Sequence, residues 1–269
     1  MLSASVMIAL LLLLSVPIIM WLMQTALLRL YGLPVRWAID MDGVPKPART
    51  TSRAVTQLCL AAAIVLYPLL RGESIVGYYA GLLPIRSAGL FLQGAAVSVL
   101  FLCLLFGAWL AADQLEIDIH QSRKRWMRRL ILLLPTTLLG AFVEEFLFRG
   151  VLLADLLRSF PQSTAFAVAI GVVIFAVAHY VRRVKRRWTF PGHLMLGLLL
   201  CVAFVRTQTL WLPAGLHAGG ILIIMGMRPF LRYRGPGWLI GASTFPFAGI
   251  VGLAGLAMLT AFVVRHYGV

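Results

Sequence analysis

Three observations predict an all-α, polytopic transmembrane bundle of about eight helices. The chain has 269 residues, of which 61% are hydrophobic and only 12% charged, and its mean hydropathy is +0.93. A soluble domain of this size carries about a quarter charged residues. The apolar residues fall in runs close to the roughly 20 residues that span hydrocarbon. The basic residues, finally, are gathered in every second loop.

In chain order, the runs predict helices over Ser5–Leu28, Ala54–Leu70, Ser87–Ala112, Leu130–Leu157, Thr164–Val181, Pro191–Val205, Leu210–Met227 and Trp238–Val264. Ser3–Leu28 is too long for the apolar core of a signal peptide and has no basic lead or small-x-small cleavage site, so it reads as a retained first helix. The sixth run is short, and Cys201–Phe204 reads equally as helix or as a bend. Asp113–Arg129, acidic first and basic later, predicts a helix lying on the headgroups with Trp126 as anchor. Trp21, Trp109 and Trp238 stand near helix ends, where interfacial anchoring is expected. Gly252 and Gly255, with Ala254 and Ala257, predict close helix packing. The runs divide the chain into an N-terminal part (1–129), a central helical core (130–227) and a C-terminal helix (228–269).

The net charge of +15 is explained by topology. Lys and Arg number five in Arg29–Arg53, five in Arg123–Arg129, five in Arg182–Arg187 and three in Arg228–Arg234. The alternate loops and the C-terminus hold only Arg71, Arg86, Arg158, Arg206 and Arg265. Short basic clusters between apolar runs obey the positive-inside rule, with both termini outside. They exclude nucleic acid as a partner and leave membrane lipid. Cys59, Cys103 and Cys201 lie within apolar runs without metal or disulfide spacing and read as small hydrophobes. Asp40 and Asp42 lie in a turn-rich stretch and read as a solvated linker.

Against this background Glu144 and Glu145, followed by Arg149, are the most informative residues. A carboxylate at bilayer depth costs several kcal/mol and marks a pathway or a reaction centre. Glu145 and Arg149 are four residues apart, about 40° around a helix, and are placed to neutralise each other. Glu144 points elsewhere, where a general base is chemically useful. His179 and His217 are embedded in apolar stretches, whereas His120 and His266 lie in loop or terminal positions and His193 opens a helix beside Pro191 and Gly192. Phe146, Phe148 and Phe175 are candidates to wall a dry cavity or to face lipid. Depth sets a condition on the site. Glu144 lies about 21 Å above Leu130 at 1.5 Å per residue, while His179 is three residues from Arg182, so their meeting requires a tilted or bent helix.

The ordered set Glu144-Glu145-x-x-x-Arg149, Phe175-x-x-x-His179, and His217 following Leu210-Trp211 resembles the motifs of the CAAX protease and bacteriocin-processing family (CPBP, also called Abi), over roughly Leu130–Met227. That family includes the prenyl-protein endopeptidase of the endoplasmic reticulum. The resemblance implies an intramembrane endopeptidase acting on a membrane-associated peptide or protein. It implies Glu144 as the base that activates water, His179 as a holder of that water, Glu145 and Arg149 as a supporting pair, and His217 as a group that stabilises the oxyanion or completes the water site. It implies a multi-pass protein of a bacterial cytoplasmic membrane. One position departs from it. The family has Asn four residues after the last histidine, where this chain has Ile221, and the chain contains no Asn at all.

Three functions stay open on the residues: an endopeptidase, a catalytically degenerate relative acting as a membrane scaffold or immunity protein, and a proton-coupled transporter using the Glu pair. No cofactor is favoured. Zinc is the one metal the residues allow, since Glu144, His179 and His217 form a His₂Glu set, although no His-Glu-x-x-His helix is present.

Overall fold

The computed structural model describes residues 3–37, 39, 43–119, 122–180 and 189–268. Asp40 and Asp42, His120 and the basic cluster Arg182–Arg187 lie outside the described residues. The architecture is an all-α helical bundle. In order it comprises α1 (Ala4–Leu30), α2 (Lys46–Leu70), α3 (Ile75–Leu82), α4 (Gly89–Ala111) and α5 (Arg123–Glu145). A π-helical stretch, Phe146–Leu153, follows directly and leads into α6 (Ala154–Ser159). After α6 come α7 (Thr164–Ala178), α8 (Phe190–Thr207), α9 (Trp211–Met227), a single turn α10 (Gly237–Ile240) and α11 (Ile250–His266). Every predicted run falls on a helix. Among the described residues, five helices are long and apolar enough to cross a membrane, the α5–α6 rod being one of them, and α7 and α11 are shorter apolar helices.

The surface confirms what solvent the fold is built for. Leu11, Leu92, Leu104 and Ile131 are each 60–70% exposed along the flanks of α1, α4 and α5. Such continuous exposed apolar surface is stable only against lipid. The protein is therefore an integral membrane protein.

Four expectations need correction. Asp113–Arg129 is not a surface helix: Leu115–Ile117 forms strand β1, paired antiparallel with β2 (Leu231–Tyr233), and α5 starts only at Arg123. The alternation of Leu115 and Ile117 around Glu116 is a strand period, too short to register beside the charge pattern. Trp126 packs edge-on against Phe230, and Trp109 is buried among Phe106 and Tyr233, so both anchor to protein. The last run is interrupted between Ile240 and Ile250, where Gly241 takes a left-handed φ of 77° and Pro246 breaks the helical ladder. Cys103 is exposed on the apolar flank and is not a buried hydrophobe. Residues 201–204, by contrast, continue α8 without a bend.

Loops expected on the same side do meet. β1 joins β2 at one end. At the other, Asp155 of α6 receives Arg71, Arg158 and the Tyr67 hydroxyl, and Arg206 donates to the Tyr267 carbonyl at 2.8 Å. This pairing is what alternating spans require.

The most extensive helix pair is α4 with α9. Small residues let their backbones touch: a Cβ on Gly94 would lie 2.6 Å from the Leu212 carbonyl, one on Gly215 2.1 Å from the Phe91 carbonyl, and one on Gly219 2.7 Å from the Ala95 carbonyl. In lipid, helix association draws on such packing. Gly252 and Gly255 pack as expected, against Phe247 and Phe101. The α4–α9 seam fixes the height and rotation of His217, which lies between Gly215 and Gly219. Gly215→Ala should therefore lower stability by at least about 1–3 kcal/mol, the usual penalty of overpacking, and Gly81→Ala, whose Cβ would meet open space, should be neutral. Thermal unfolding of the two variants in detergent measures the difference.

Candidate active site

Four helix segments meet around the predicted residues. Glu144 and Glu145 close α5, Arg149 lies in the π stretch, His179 follows the last residue of α7, and His217 is mid-way along α9. The 15-residue α7 ends at Ala178, and His179, next in the chain, reaches Glu144, their side chains 3.5 Å apart.

The geometry has two layers. The inner one is fully buried. Glu145 and Arg149 have no exposed side-chain surface and form an ion pair at 3.1 Å. Arg149 also donates to the Gly197 carbonyl of α8 at 3.3 Å, and its guanidinium lies 4.5 Å over the Phe175 ring. Glu145 Oε1 in turn accepts from His217 Nδ1 at 2.8 Å. Gly197 permits this contact, because a Cβ there would lie 3.0 Å from Phe175. A buried ion pair holds when further hydrogen bonds and packing support both groups, and here α7, α8 and α9 each supply a contact, although Glu145 Oε2 and Arg149 Nε have no hydrogen-bond partner among the described residues.

The outer layer faces a cavity of about 220 Å³ lined by Glu144, His179, His217 and His193, with Ile221, Phe101, Phe245 and Phe247 among its apolar walls. Glu144 Oε2 is 3.5 Å from His179 Nε2 and 3.7 Å from His217 Nε2. It has no hydrogen-bond partner among the described residues. The tautomers follow from the other ring nitrogens. His179 Nδ1 is 2.8 Å from the Phe175 carbonyl, which can only accept, so Nδ1 carries the proton. His217 Nδ1 likewise donates to Glu145. In the neutral rings both Nε2 atoms then present lone pairs toward a carboxylate oxygen. Three acceptors around one point call for O–H groups or a cation between them.

The site residues named from sequence come together, Glu144, His179 and His217 at the cavity and Glu145 and Arg149 behind it. Two readings change. Phe146, Phe148 and Phe175 do not line the cavity: Phe148 and Phe175 are buried in the core, and Phe146 packs edge-on against Tyr79. His193 does line it, with its ring 3% exposed and 4.9 Å from that of His179. The signal available in sequence is a third histidine only 14 residues beyond His179. Ile221 is a cavity residue, one turn from His217 on the same face. Gly219 and Gly220 lie within the continuous helix α9, where their N–H groups serve the helical ladder and are not free as donors.

The donor types at the cavity are those of His₂Glu zinc sites. Among the described residues, however, no group of three or more His, Cys, Asp and Glu side chains is arranged to hold a metal ion.

The two layers make different predictions. Arg149→Ala leaves Glu145 charged and unpaired at zero exposure, and should cost about 3–5 kcal/mol. Glu144→Gln, on the cavity side and 35% exposed, should stay within about 1 kcal/mol of wild type. Melting temperatures in detergent separate them.

No curated protein and no solved structure matches the chain. Residues 126–223 match the profile of the Rce1-like family, type II CAAX prenyl endopeptidase Rce1-like, and this segment carries Glu144, Glu145, Arg149, His179 and His217.

Proposed function

We propose that the chain is an intramembrane endopeptidase that hydrolyses a membrane-associated peptide with water activated by Glu144. The observation that carries this reading is the unpartnered Glu144 Oε2 set between two imidazole Nε2 lone pairs. A water molecule satisfies such a set by donating one O–H to the carboxylate and the other to His179. Its remaining lone pair is then directed at an incoming carbonyl carbon. As the O–C bond forms, Glu144 takes the water's proton. The tetrahedral intermediate collapses with cleavage of the C–N bond, and the proton passes from Glu144 to the departing nitrogen. His217, held by Glu145 and through it by Arg149, borders the third side of the site, its Nε2 3.7 Å from Glu144 Oε2. The reaction needs no metal. Metal analysis of the active protein is expected to find zinc far below one equivalent, and stoichiometric zinc together with loss of cleavage on chelation would move water activation to the ion.

The weak step is charge stabilisation. The developing oxyanion meets Ile221 where the resembling family carries an amide donor, and the nearby Gly N–H groups are spent in α9. Losing one such donor costs about 10²–10³ in rate. This same observation favours the second reading, a catalytically degenerate relative acting as a membrane scaffold or immunity protein.

Two measurements decide between them. With the protein reconstituted in liposomes and offered membrane-anchored peptides, a farnesylated CAAX peptide among them, Glu144→Gln and His179→Ala should lower kcat/KM by about 10²–10⁴. Undiminished cleavage by both variants excludes the mechanism. Ile221→Asn should raise kcat by about 10²-fold. No cleavage by wild type and none by Ile221→Asn would leave the scaffold reading standing.

A further inference from the structure

His193 belongs to neither the resembling motifs nor the water position, yet it is built into the cavity wall. Its Nδ1 lies 3.0 Å from the Thr189 carbonyl, one turn back on its own helix. A carbonyl only accepts, so Nδ1 bears the proton and Nε2 presents a lone pair. That Nε2 makes no hydrogen bond among the described residues. The ring cannot swing away. His179 lies 4.9 Å to one side, Tyr180 and Phe245 approach edge-on at 5.5 and 5.1 Å, and the backbone is seated where a Cβ on Gly192 would be 3.0 Å from Ala248. Tyr180 in turn is tied to Thr189 through their hydroxyls at 2.5 Å. An apolar ring would fill this volume as well. An imidazole built into the wall with an acceptor that no protein group meets calls for a partner from the cavity.

Resting on the endopeptidase reading above, we propose that His193 Nε2 accepts a backbone N–H of the bound peptide and so fixes its register beside Glu144. The chemistry of the cavity points to this partner. A peptide entering it brings carbonyls, which need donors, and N–H groups, which need acceptors. Glu144 and His179 are taken up by the two O–H bonds of the water, and His217 faces Glu144 at 3.7 Å. His193, on the far side of the His179 ring, is the acceptor left over, and a peptide N–H buried among Phe101, Phe245, Phe247 and Leu196 finds no solvent to satisfy it. His193 is then a substrate-binding residue and moves no proton.

Removing single N–H groups tests this. A farnesylated CAAX peptide and depsipeptide analogues, each with one backbone N–H replaced by oxygen, are titrated against Glu144→Gln protein in nanodiscs, so that turnover does not consume them. One analogue should bind about 3–10-fold more weakly than the all-amide peptide, the worth of a single hydrogen bond. With His193→Leu added, the all-amide peptide should weaken by the same factor and that analogue should no longer be discriminated. His193→Gln, whose Oε1 can accept in the same direction, should restore discrimination. The proposal is overturned if the penalty survives in His193→Leu, if His193→Gln behaves as His193→Leu does, or if no peptide binds. Cleavage by wild type is scored separately. Discrimination through His193 without any cleavage sinks the endopeptidase reading and keeps this one, whereas cleavage with discrimination indifferent to position 193 does the reverse.

Discussion

The buried ion pair between Glu145 and Arg149 is the constraint on which the rest of the structure depends. Neither side chain has exposed surface, and in lipid no water can enter to compensate a mismatch. What compensates them comes from protein, and the partners are drawn from four different helices: the Gly197 carbonyl, the Phe175 ring, the His217 Nδ1–H and the pair itself. Lost contacts at any one of these would leave a charge uncompensated at several kcal/mol. The pair therefore acts as a register pin, fixing how α5, α7, α8 and α9 are rotated relative to one another.

The two carboxylates serve different purposes from adjacent positions of α5, Glu145 facing the ion pair and Glu144 the cavity, because neighbouring residues of a regular helix already point about 100° apart. The π-helical stretch begins at Phe146, directly after the pair, and carries Arg149; such stretches are frequent at functional sites. His179, next after the last residue of α7, completes the arrangement by reaching Glu144.

Much of this was legible in the sequence because lipid enforces simple rules. Apolar length gave the helices, and rarity of charge singled out Glu144, Glu145 and Arg149. What stayed hidden was whatever depends on three-dimensional closeness between segments of unremarkable composition. The β1–β2 pair is three residues on each side, with no periodicity to detect. The α4–α9 seam rests on Gly94 and Gly215, which look like any other small residues until their backbones are seen to touch. Trp109 sits near a helix end, where a membrane anchor is expected, but Tyr233 from a distant strand covers it. His193 was passed over because its neighbours Pro191 and Gly192 mark a helix start, and only the return of α8 along α7 brings it beside His179.

The cavity itself is chemically one-sided. Its acidic and imidazole groups are acceptors when the rings are neutral, Glu144 Oε2 and the Nε2 atoms of His179, His217 and His193, and Ser98 and Thr244 add the hydroxyls of its wall. An acceptor-rich pocket is well suited to polarising the O–H bonds of water and poorly suited to holding an oxyanion. Ile221 deepens that imbalance by presenting a hydrocarbon face at the position where a donor is most useful. A site of this kind separates its two tasks unequally, strong in generating the nucleophile and weak in stabilising the charge that results. The rate of any reaction it supports is then set by the second task, and the residue that limits it is 221, outside the Glu and His set that first draws attention.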